Sequence, residues 1–289
     1  MKTITMVLVL LLLSLSFINI SAQCSDAGVC SIGGKHTAES ETNPFKLSLG
    51  YSYGYSGKED DIGYSSIKFG GTYKFLEQTS FNFEIPFNMQ FGPWGNVHGI
   101  GDLFLSFSYS LKLDNSYLTA SAGMILATSD ENKENVPQPY RSGLGTTDAL
   151  LGIEYSFSNF SIGAGYQIAG MPEDDLFAVE RGDDLLLRAG YYFNLDNFSI
   201  SPQLLFIKRL SKSKMYFASS DPAANSIPMY LEVPGSDQSQ LNLLVNSTYK
   251  VDEIFSLFAE AAVPFLERDI NVDGLKRTFT ISVGLNFGI

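Results

Sequence analysis

Residues 45–55 read FKLSLGYSYGY. Every second residue, from Phe45 through Leu47 and Leu49 to Tyr55, carries a large apolar or aromatic side chain, and the residues between them are Lys, Ser or Gly. Alternation with a period of two is typical of a β-strand whose two faces meet different surroundings. The stretch therefore predicts a strand with one apolar face and one polar face.

The same alternation recurs along the rest of the chain, and each apolar row is nine residues or longer. A strand in a soluble sheet usually has about 5–6 residues, whereas a tilted strand that crosses a bilayer needs about 9–11. Their length therefore favours strands that span a membrane. The twelve rows are 45–55, 67–75, 81–91, 103–113, 118–126, 149–157, 160–168, 185–193, 198–206, 241–249, 255–263 and 279–287.

The connections between the rows also alternate in length. After even-numbered rows they are brief, as at Asp114 to Ser116 and at Ser158 to Asn159, and after odd-numbered rows they are mostly longer, as at Ser129 to Thr147. Brief periplasmic turns and longer outer loops are typical of outer-membrane barrels. We therefore predict an all-β fold, a transmembrane antiparallel up-and-down β-barrel of 12 strands with both termini in the periplasm. A soluble lipocalin-like barrel or a β-sandwich is the alternative.

The composition agrees with a barrel in the outer membrane of a Gram-negative bacterium. The chain has 289 residues, 45% of them hydrophobic and 17% charged, with a formal net charge of -12. This apolar content excludes disorder, and the acidic balance without a basic stretch argues against nucleic acid as a partner. A sheet that closes on itself leaves no unpaired edge in hydrocarbon. The apolar rows should then contact lipid and lipopolysaccharide, and the Ser, Gly, Asn and Thr rows should face the lumen; the oligomeric state stays open.

The first residues are predicted to be a targeting signal. Lys2 precedes an apolar run from Met6 to Leu15, and small residues end at Ala22, which is the pattern of a secretory signal peptide. The run is short of the ~20 residues that a membrane anchor helix, the alternative, would need. The predicted organisation is a signal peptide at 1–22, a periplasmic N-terminal segment at 23–43 and an outer-membrane β-barrel at 44–289.

Charged residues on the polar rows are the candidate pore-lining residues. A charge on the lipid face would cost about 2–4 kcal/mol at mid-depth, and none lies in an apolar row. Both signs occur, so neighbours are expected to pair across the lumen. The set forms either a charged plug that braces the barrel wall or an eyelet that filters solutes by charge. Its members are Lys46, Lys68, Glu84, Glu154, Arg188 and Glu260.

Pro86 lies in the middle of the third predicted strand, on its polar row. Proline removes a donor from the strand ladder and normally avoids the interior of a sheet. Pro86 therefore marks either a local bulge or a candidate lateral opening through which a hydrophobic solute leaves into lipid. Near the strand ends, Tyr55, Tyr64, Tyr109 and Tyr117 are expected to contribute to aromatic girdles at the membrane interfaces.

The remaining chemistry-bearing residues are few. Cys24 and Cys30 are predicted to form a local disulfide in the oxidising periplasm. The disulfide either stabilises the chain end or forms a compact plug that gates the periplasmic mouth. Two thiols with a distant His36 do not make a closed metal site. His98 has no regularly spaced serine or acidic partner, so we expect no enzyme activity, and no cofactor is implied.

One segment resembles a known family. Residues 99–111 read GIGDLFLSFSYSL, which is similar to the G-x-G-D-L segment that opens a strand in the outer-membrane transporter family of the phenol-degradation meta pathway. The resemblance extends to the signal peptide, the alternating strands and the similar size. It implies passive uptake of small hydrophobic or aromatic solutes across the outer membrane. The alternative function is a structural or adhesive outer-membrane barrel with a closed lumen.

Overall fold

The computed structural model describes residues 43–57, 61–129, 136–172, 178–217, 229–272, 274 and 277–289. Within these ranges the regular structure is β, apart from one short 3-10 turn at Gln138–Tyr140. No helix in this part of the chain is long and apolar enough to cross a membrane. The strands are β1 Phe45–Tyr55, β2 Gly63–Leu76, β3 Thr79–Gly92, β4 Gly95–Ile100, β5 Leu103–Leu113, β6 Ser116–Leu126, β7 Asp148–Phe157, β8 Phe160–Ile168, β9 Val179–Glu180, β10 Asp184–Tyr191, β11 Phe193–Leu195, β12 Phe198–Arg209, β13 Lys214–Phe217, β14 Met229–Glu232, β15 Ser239–Lys250, β16 Phe255–Leu266 and β17 Phe279–Gly288.

Twelve of these strands close into one antiparallel barrel, as the alternation predicts. Their order around the wall is β1-β2-β3-β5-β6-β7-β8-β10-β12-β15-β16-β17. The first and last strands pair with each other from Lys46 opposite Gly288 to Tyr55 opposite Phe279. Closure leaves no exposed edge in the wall, so every strand finds ladder partners on both sides. The predicted strand count and the up-and-down order are confirmed.

The two faces of the wall differ as the sequence requires. Outward-facing side chains are apolar and exposed, for example Leu49 at 47%, Ile67 at 45% and Ile153 at 52%. Inward-facing residues include Ser52 and Ser66, which are 2% and 0% exposed. An apolar outside and a polar inside invert the usual arrangement of a soluble domain, and the outer surface suits contact with acyl chains.

The brief connections are turns of two to four residues at one end of the barrel, which we call the periplasmic end; the start of β1 and the end of β17 also lie there. Asp114, Ser158 and Asp196 begin three of these turns with φ values of 38°, 51° and 48°. Asp, Asn and Ser tolerate such a conformation because their short polar side chains can bond to the local backbone. The opposite end carries the longer loops, and we call it the outer end.

Three features differ from the sequence prediction. The segment predicted as a loop between residues 92 and 101 contains β4, which continues a hairpin with β3. The outer loops contribute a second sheet in the order β14-β13-β9. Tyr64 does not join a girdle; it shares the inward face with Ser66 and is 4% exposed. For the strands of the first two features, the cause is a local alternation that is too short, or too rich in glycine, to show the direction of its side chains.

Candidate functional site

A loop at residues 136–147 folds inward across the outer mouth of the barrel, and Asp102 holds it there. Asp102 Oδ2 accepts hydrogen bonds from the backbone N–H groups of Leu144 at 2.5 Å and Gly145 at 3.3 Å. Its Oδ1 accepts the hydroxyl of Ser129 at 2.8 Å. One carboxylate thus ties the inserted loop to the wall at the start of β5. Hydrogen bonds to an ionised acceptor are the stronger kind.

Strand β3 provides a second attachment for the inserted loop. Asn88 Nδ2 donates to the carbonyl of Ser142 at 2.5 Å, and Gln90 Nε2 donates to the carbonyl of Arg141 at 3.0 Å. At Gly101 a Cβ atom would lie 2.6 Å from Asn88 Nδ2 and 2.8 Å from the carbonyl oxygen of Ser142. Only glycine leaves room for this contact. The G-x-G-D-L segment therefore holds the inserted loop in place, with Gly101 allowing its close approach and Asp102 accepting its backbone N–H groups.

An apolar cluster lies beneath the inserted loop, inside the barrel. Its wall residues lie on the inward rows, where the sequence predicted polar side chains, and Leu144 of the loop completes it. The cluster is tightly packed, because Leu150, Leu205 and Ile207 are each 1% exposed. The lumen is therefore partly apolar, which the polar-row prediction missed. The cluster comprises Phe104, Ile125, Leu144, Leu150, Leu186, Leu205, Ile207, Leu244 and Ala262.

All six predicted pore-lining residues lie on inward rows of the wall. Lys68 Nζ is 3.4 Å from Glu84 Oε1 on the neighbouring strand. Glu260 lies opposite Ser282, and Lys46 lies near the periplasmic end, opposite Thr72. Pairing of opposite charges across neighbouring strands is thus present between Lys68 and Glu84.

Glu154 and Arg188 are more deeply buried than the other four residues, at 3% and 8% exposure. The hydroxyl of Ser156 donates to Glu154 Oε1 at 3.2 Å. Gly163 of β8 pairs with Glu154 on one side and with Arg188 on the other. The two charged residues therefore flank a residue that has no side chain, on a shared inward row.

Arginine is confined to the interior of the barrel. Asp184 and Arg209 form a bidentate ion pair with distances of 2.7 and 3.1 Å, and Arg268 Nη2 lies 3.7 Å from Asp184 Oδ1. Arg181 Nη2 lies 2.6 Å from Asp148 Oδ2. Guanidinium suits buried pairing because its planar fork matches a carboxylate. Every arginine of the sequence is buried in the structure: Arg141, Arg181, Arg188, Arg209, Arg268 and Arg277.

The small outer sheet lies above these buried pairs. Lys214 of β13 donates to Glu180 Oε1 of β9 at 2.6 Å. This hydrogen bond, together with the nearby negative charge, raises the pKa of Lys214 above its ordinary value. The ion pair therefore persists across the neutral pH range and links the two strands.

Pro86 lies where β3 changes its partner from β5 to β4. Its carbonyl accepts the N–H of Gly101 at 2.8 Å. Ile85 and Pro86 face the three residues 101–103, so the opposite strand carries a β-bulge here. The missing N–H of Pro86 coincides with this irregularity, while its pairing with Lys68 of β2 continues without a shift in register.

Some predicted features lie outside the described residues. These are the signal peptide at 1–22 and the disulfide between Cys24 and Cys30, which stay predictions. Among the side chains that the structure does describe, no group of three or more His, Cys, Asp or Glu residues could hold a metal ion.

Comparison with solved structures finds outer-membrane barrels. The COG4313 outer membrane channel from Pseudomonas putida F1 is 14% identical, with a TM-score of 0.57 over 86% of this chain and 96% of that chain. The NanC porin is 11% identical, with a TM-score of 0.48 over 85% of this chain and 100% of that chain. At this identity the likeness to the COG4313 channel shows the fold alone, which is that of an outer-membrane β-barrel.

No family profile and no curated protein matches the sequence. The resemblance to the phenol-pathway transporters therefore remains an expectation from the G-x-G-D-L segment and the barrel layout. The structure adds a physical reason for that segment, because Gly101 and Asp102 hold the inserted loop.

Proposed function

We propose that the protein is a passive outer-membrane channel for small hydrophobic or aromatic solutes. The observation that supports this proposal is the apolar cluster on the inward rows. A lumen that carries only water and hydrophilic solutes is normally lined by polar residues. Leu205 and Leu244 are 1% and 2% exposed in this packed arrangement, and they become an apolar surface for a hydrophobic solute when the inserted loop moves out of the mouth. The six predicted charged residues then line the path below and beside this surface.

Uptake by intact cells tests this function. Cells that produce the protein should take up an aromatic carbon source faster than cells that lack it. Replacing Leu205 and Leu244 together by asparagine should slow that uptake about thirtyfold, because the two changes together remove apolar contacts worth roughly 2 kcal/mol. Thr248→Asn, an inward change toward the periplasmic end, is the matched control. Equal uptake with and without the protein would contradict the proposal.

For the route into the membrane, we propose lateral exit beside Pro86. The proline and the bulge opposite it interrupt the regular ladder at one level of the wall. Pro86→Ala would restore a donor there, and it should reduce uptake of the hydrophobic solute about twofold by stiffening the wall. Unchanged uptake in that variant would favour axial exit to the periplasm.

A closed structural or adhesive barrel is the second candidate. The observation that favours it is the dense packing of the outer half, where Gln240 and Asn242 are each 1% exposed. Ion conductance in planar bilayers separates the two candidates. Conductance by the full mature chain supports the channel, and no conductance even when Asp102→Ala is combined with Asn88→Ala, which weakens both attachments of the inserted loop, supports the closed barrel.

A further inference from the structure

The charges that face the lumen differ in sign from the charge of the whole chain. The sequence has 19 Lys and Arg residues against 31 Asp and Glu residues. On the inward rows of the twelve wall strands, five lysines and two arginines outnumber five carboxyl groups, even if all of these carboxyl groups are ionised. The cations are Arg188, Arg209, Lys68 and, near the periplasmic ends of their strands, Lys46, Lys74, Lys112 and Lys250. The carboxyl groups are those of Glu84, Asp148, Glu154, Asp184 and Glu260.

Four of these lysines lie at the periplasmic mouth of the lumen. Lys46 is the second residue of β1, Lys74 faces Ser80 across β2 and β3, and Lys112 and Lys250 lie at the ends of β5 and β15. Lys112 and Lys250 are exposed, and Lys46 and Lys74 are half-buried, so solvent reaches this part of the wall. We call the four residues the lysine arc, because their strands extend around about half of the wall.

The carboxylates near the lysine arc lie at other levels of the barrel. Deeper in the lumen, Glu84 Oε1 is 3.4 Å from Lys68 Nζ. On the periplasmic side, the carboxylates belong to the turns, and Asp252 Oδ1 accepts the N–H groups of Ile254 and Phe255 in its own turn. The mouth therefore has carboxylates on its rim and lysines further inside. The described carboxylates of the turns are Glu77, Asp114, Asp196, Asp252 and Glu253.

A layer of lysines on the inner wall gives a pore a preference for anions. Channels for anions use rings of lysine or arginine side chains, and a wall of low polarity focuses the field of such charges into the water of the lumen. Arg188 and Arg209 add positive charge further toward the outer end, on the same inward face of the wall. The field along the lumen should therefore favour anions over cations.

We propose that the lysine arc makes the lumen selective for anions and that the solute is a small aromatic carboxylate. The aromatic ring contacts the apolar cluster in the outer half, and the carboxylate meets the ammonium groups of the arc as the solute reaches the periplasmic mouth. This proposal rests on the proposed function and narrows its solute class to anions.

The reactivity of a cysteine inside the arc measures the sign of the local potential without any need for solute flux. Ser48→Cys places a thiol on the same inward row as Lys250 and two residues from Lys46. The change is made together with Cys24→Ser and Cys30→Ser in the full mature chain, in lipid nanodiscs. The probes are two methanethiosulfonates, one with a sulfonate group and one with a trimethylammonium group. Each rate is divided by the rate of the same reagent with free cysteine.

The sulfonate reagent should be favoured about tenfold at low salt, because a positive potential of roughly one kT acts on the two reagents in opposite directions. About 1 M salt should remove most of this preference, since the Debye length falls to about 3 Å. Lys112→Gln combined with Lys250→Gln should reduce the preference to about threefold. Lys212→Gln, which removes a lysine that contacts Glu232 at the outer end, is the matched control and should leave the preference unchanged.

Three results of this measurement would overturn the proposal. They are equal normalised rates, a preference for the ammonium reagent, and no reaction with either reagent, which would show a closed mouth. A preference that persists in full when Lys112 and Lys250 are both replaced would place its source elsewhere, and it would overturn the role of the lysine arc.

Uptake by cells tests the solute class. Protein-dependent uptake of benzoate should be about tenfold faster than that of benzylammonium, which has a ring of the same size and the opposite charge. The combined Lys112→Gln and Lys250→Gln variant should reduce this ratio to about threefold. Equal uptake of the two probes would overturn the carboxylate as the preferred solute.

Recordings in planar bilayers separate this proposal from the channel function. In a protein that conducts, the reversal potential in a KCl gradient should have the sign of chloride selectivity, and the opposite sign would overturn the lysine arc and leave the channel in place. A preference for the sulfonate reagent without conductance, even when Asp102→Ala is combined with Asn88→Ala, would support the positive mouth and overturn the channel.

Discussion

The two halves of the lumen are made by the same twelve strands, yet they are packed very differently. In the outer half, the inward side chains of Leu205, Ile207, Gln240 and Asn242 are each 1% exposed. In the periplasmic half, inward residues such as Lys46 and Ser110 are only half-buried, whereas Ser161 beside β10 is as buried as the outer residues, at 1% exposure. Since strand length and tilt are shared by both halves, the difference comes from the side chains and from the loop inserted at one end.

This difference shows that closure of the barrel wall and packing of its lumen are separate problems. Closure of the wall follows from backbone pairing and needs only the alternation of apolar and polar residues. The dense packing of the outer half comes from buried ion pairs, an apolar cluster and the loop held by Asp102. In the proposed channel, the outer half would act as the filter and the periplasmic half as the vestibule.

The largest effect on this comparison is expected from Asp184→Asn. The change removes the negative charge that faces Arg209 and Arg268 in the outer half. Breaking a buried ion pair in this way usually lowers the free energy of unfolding by about 3–5 kcal/mol. Denaturant unfolding in lipid vesicles, followed by far-UV circular dichroism, measures the change. Asp196→Asn, an exposed carboxylate in a periplasmic turn, should shift the same measurement by less than about 0.5 kcal/mol.

A loss below about 1 kcal/mol in Asp184→Asn would contradict the comparison. It would mean that the ion pairs of the outer half contribute no more than exposed surface pairs do.

The fold could be predicted from the sequence because a period of two is a local property. Each row from Phe45 to Phe287 shows which face meets lipid, and lipid accepts only apolar side chains at mid-depth. Strand β4 escaped prediction because Gly95 and Gly99 interrupt its short apolar alternation. Tyr64 was misplaced because aromatic side chains serve equally well at an interface or in a buried network.

The site could be predicted only in part, because its contacts are distant in sequence. The inward direction of Glu154 and Arg188 follows from parity alone. The role of Asp102 does not follow from the sequence, because its partners are backbone N–H groups 42 and 43 positions away. Every residue except proline carries such a group, so the sequence cannot show which ones Asp102 contacts. The residue type alone could have predicted that the arginines are buried. Arginine is preferred for buried ion pairs, and lysine for exposed positions.

The second prediction concerns the inserted loop. Asp102→Ala removes the acceptor for Leu144, Gly145 and Ser129. The loop is then held only by its attachment to β3, so it should leave the mouth more often and conductance in planar bilayers should rise. The free energy of unfolding should fall by about 2 kcal/mol, since hydrogen bonds to a charged group contribute about 1.5–3 kcal/mol each and the freed N–H groups regain water. Asp269→Ala removes an exposed carboxylate at the same end and is the matched control.

Unchanged conductance in Asp102→Ala, with the barrel still folded, would show that the loop does not restrict the lumen. The outer half would then be closed by its wall side chains alone.

The smallest effect is expected in the periplasmic half, from Ser110→Ala. The hydroxyl groups of Ser110 and Thr119 lie 2.9 Å apart across β5 and β6; Ser110 is half-buried and Thr119 is 4% exposed. Water can replace the lost partner there, so the free energy of unfolding should fall by less than about 1 kcal/mol and conductance should not change. Denaturant unfolding and bilayer recordings under the same conditions measure both quantities. A loss as large as that of Asp184→Asn would show that the periplasmic half is as tightly coupled as the outer half, and the division of the lumen into a filter and a vestibule would fail.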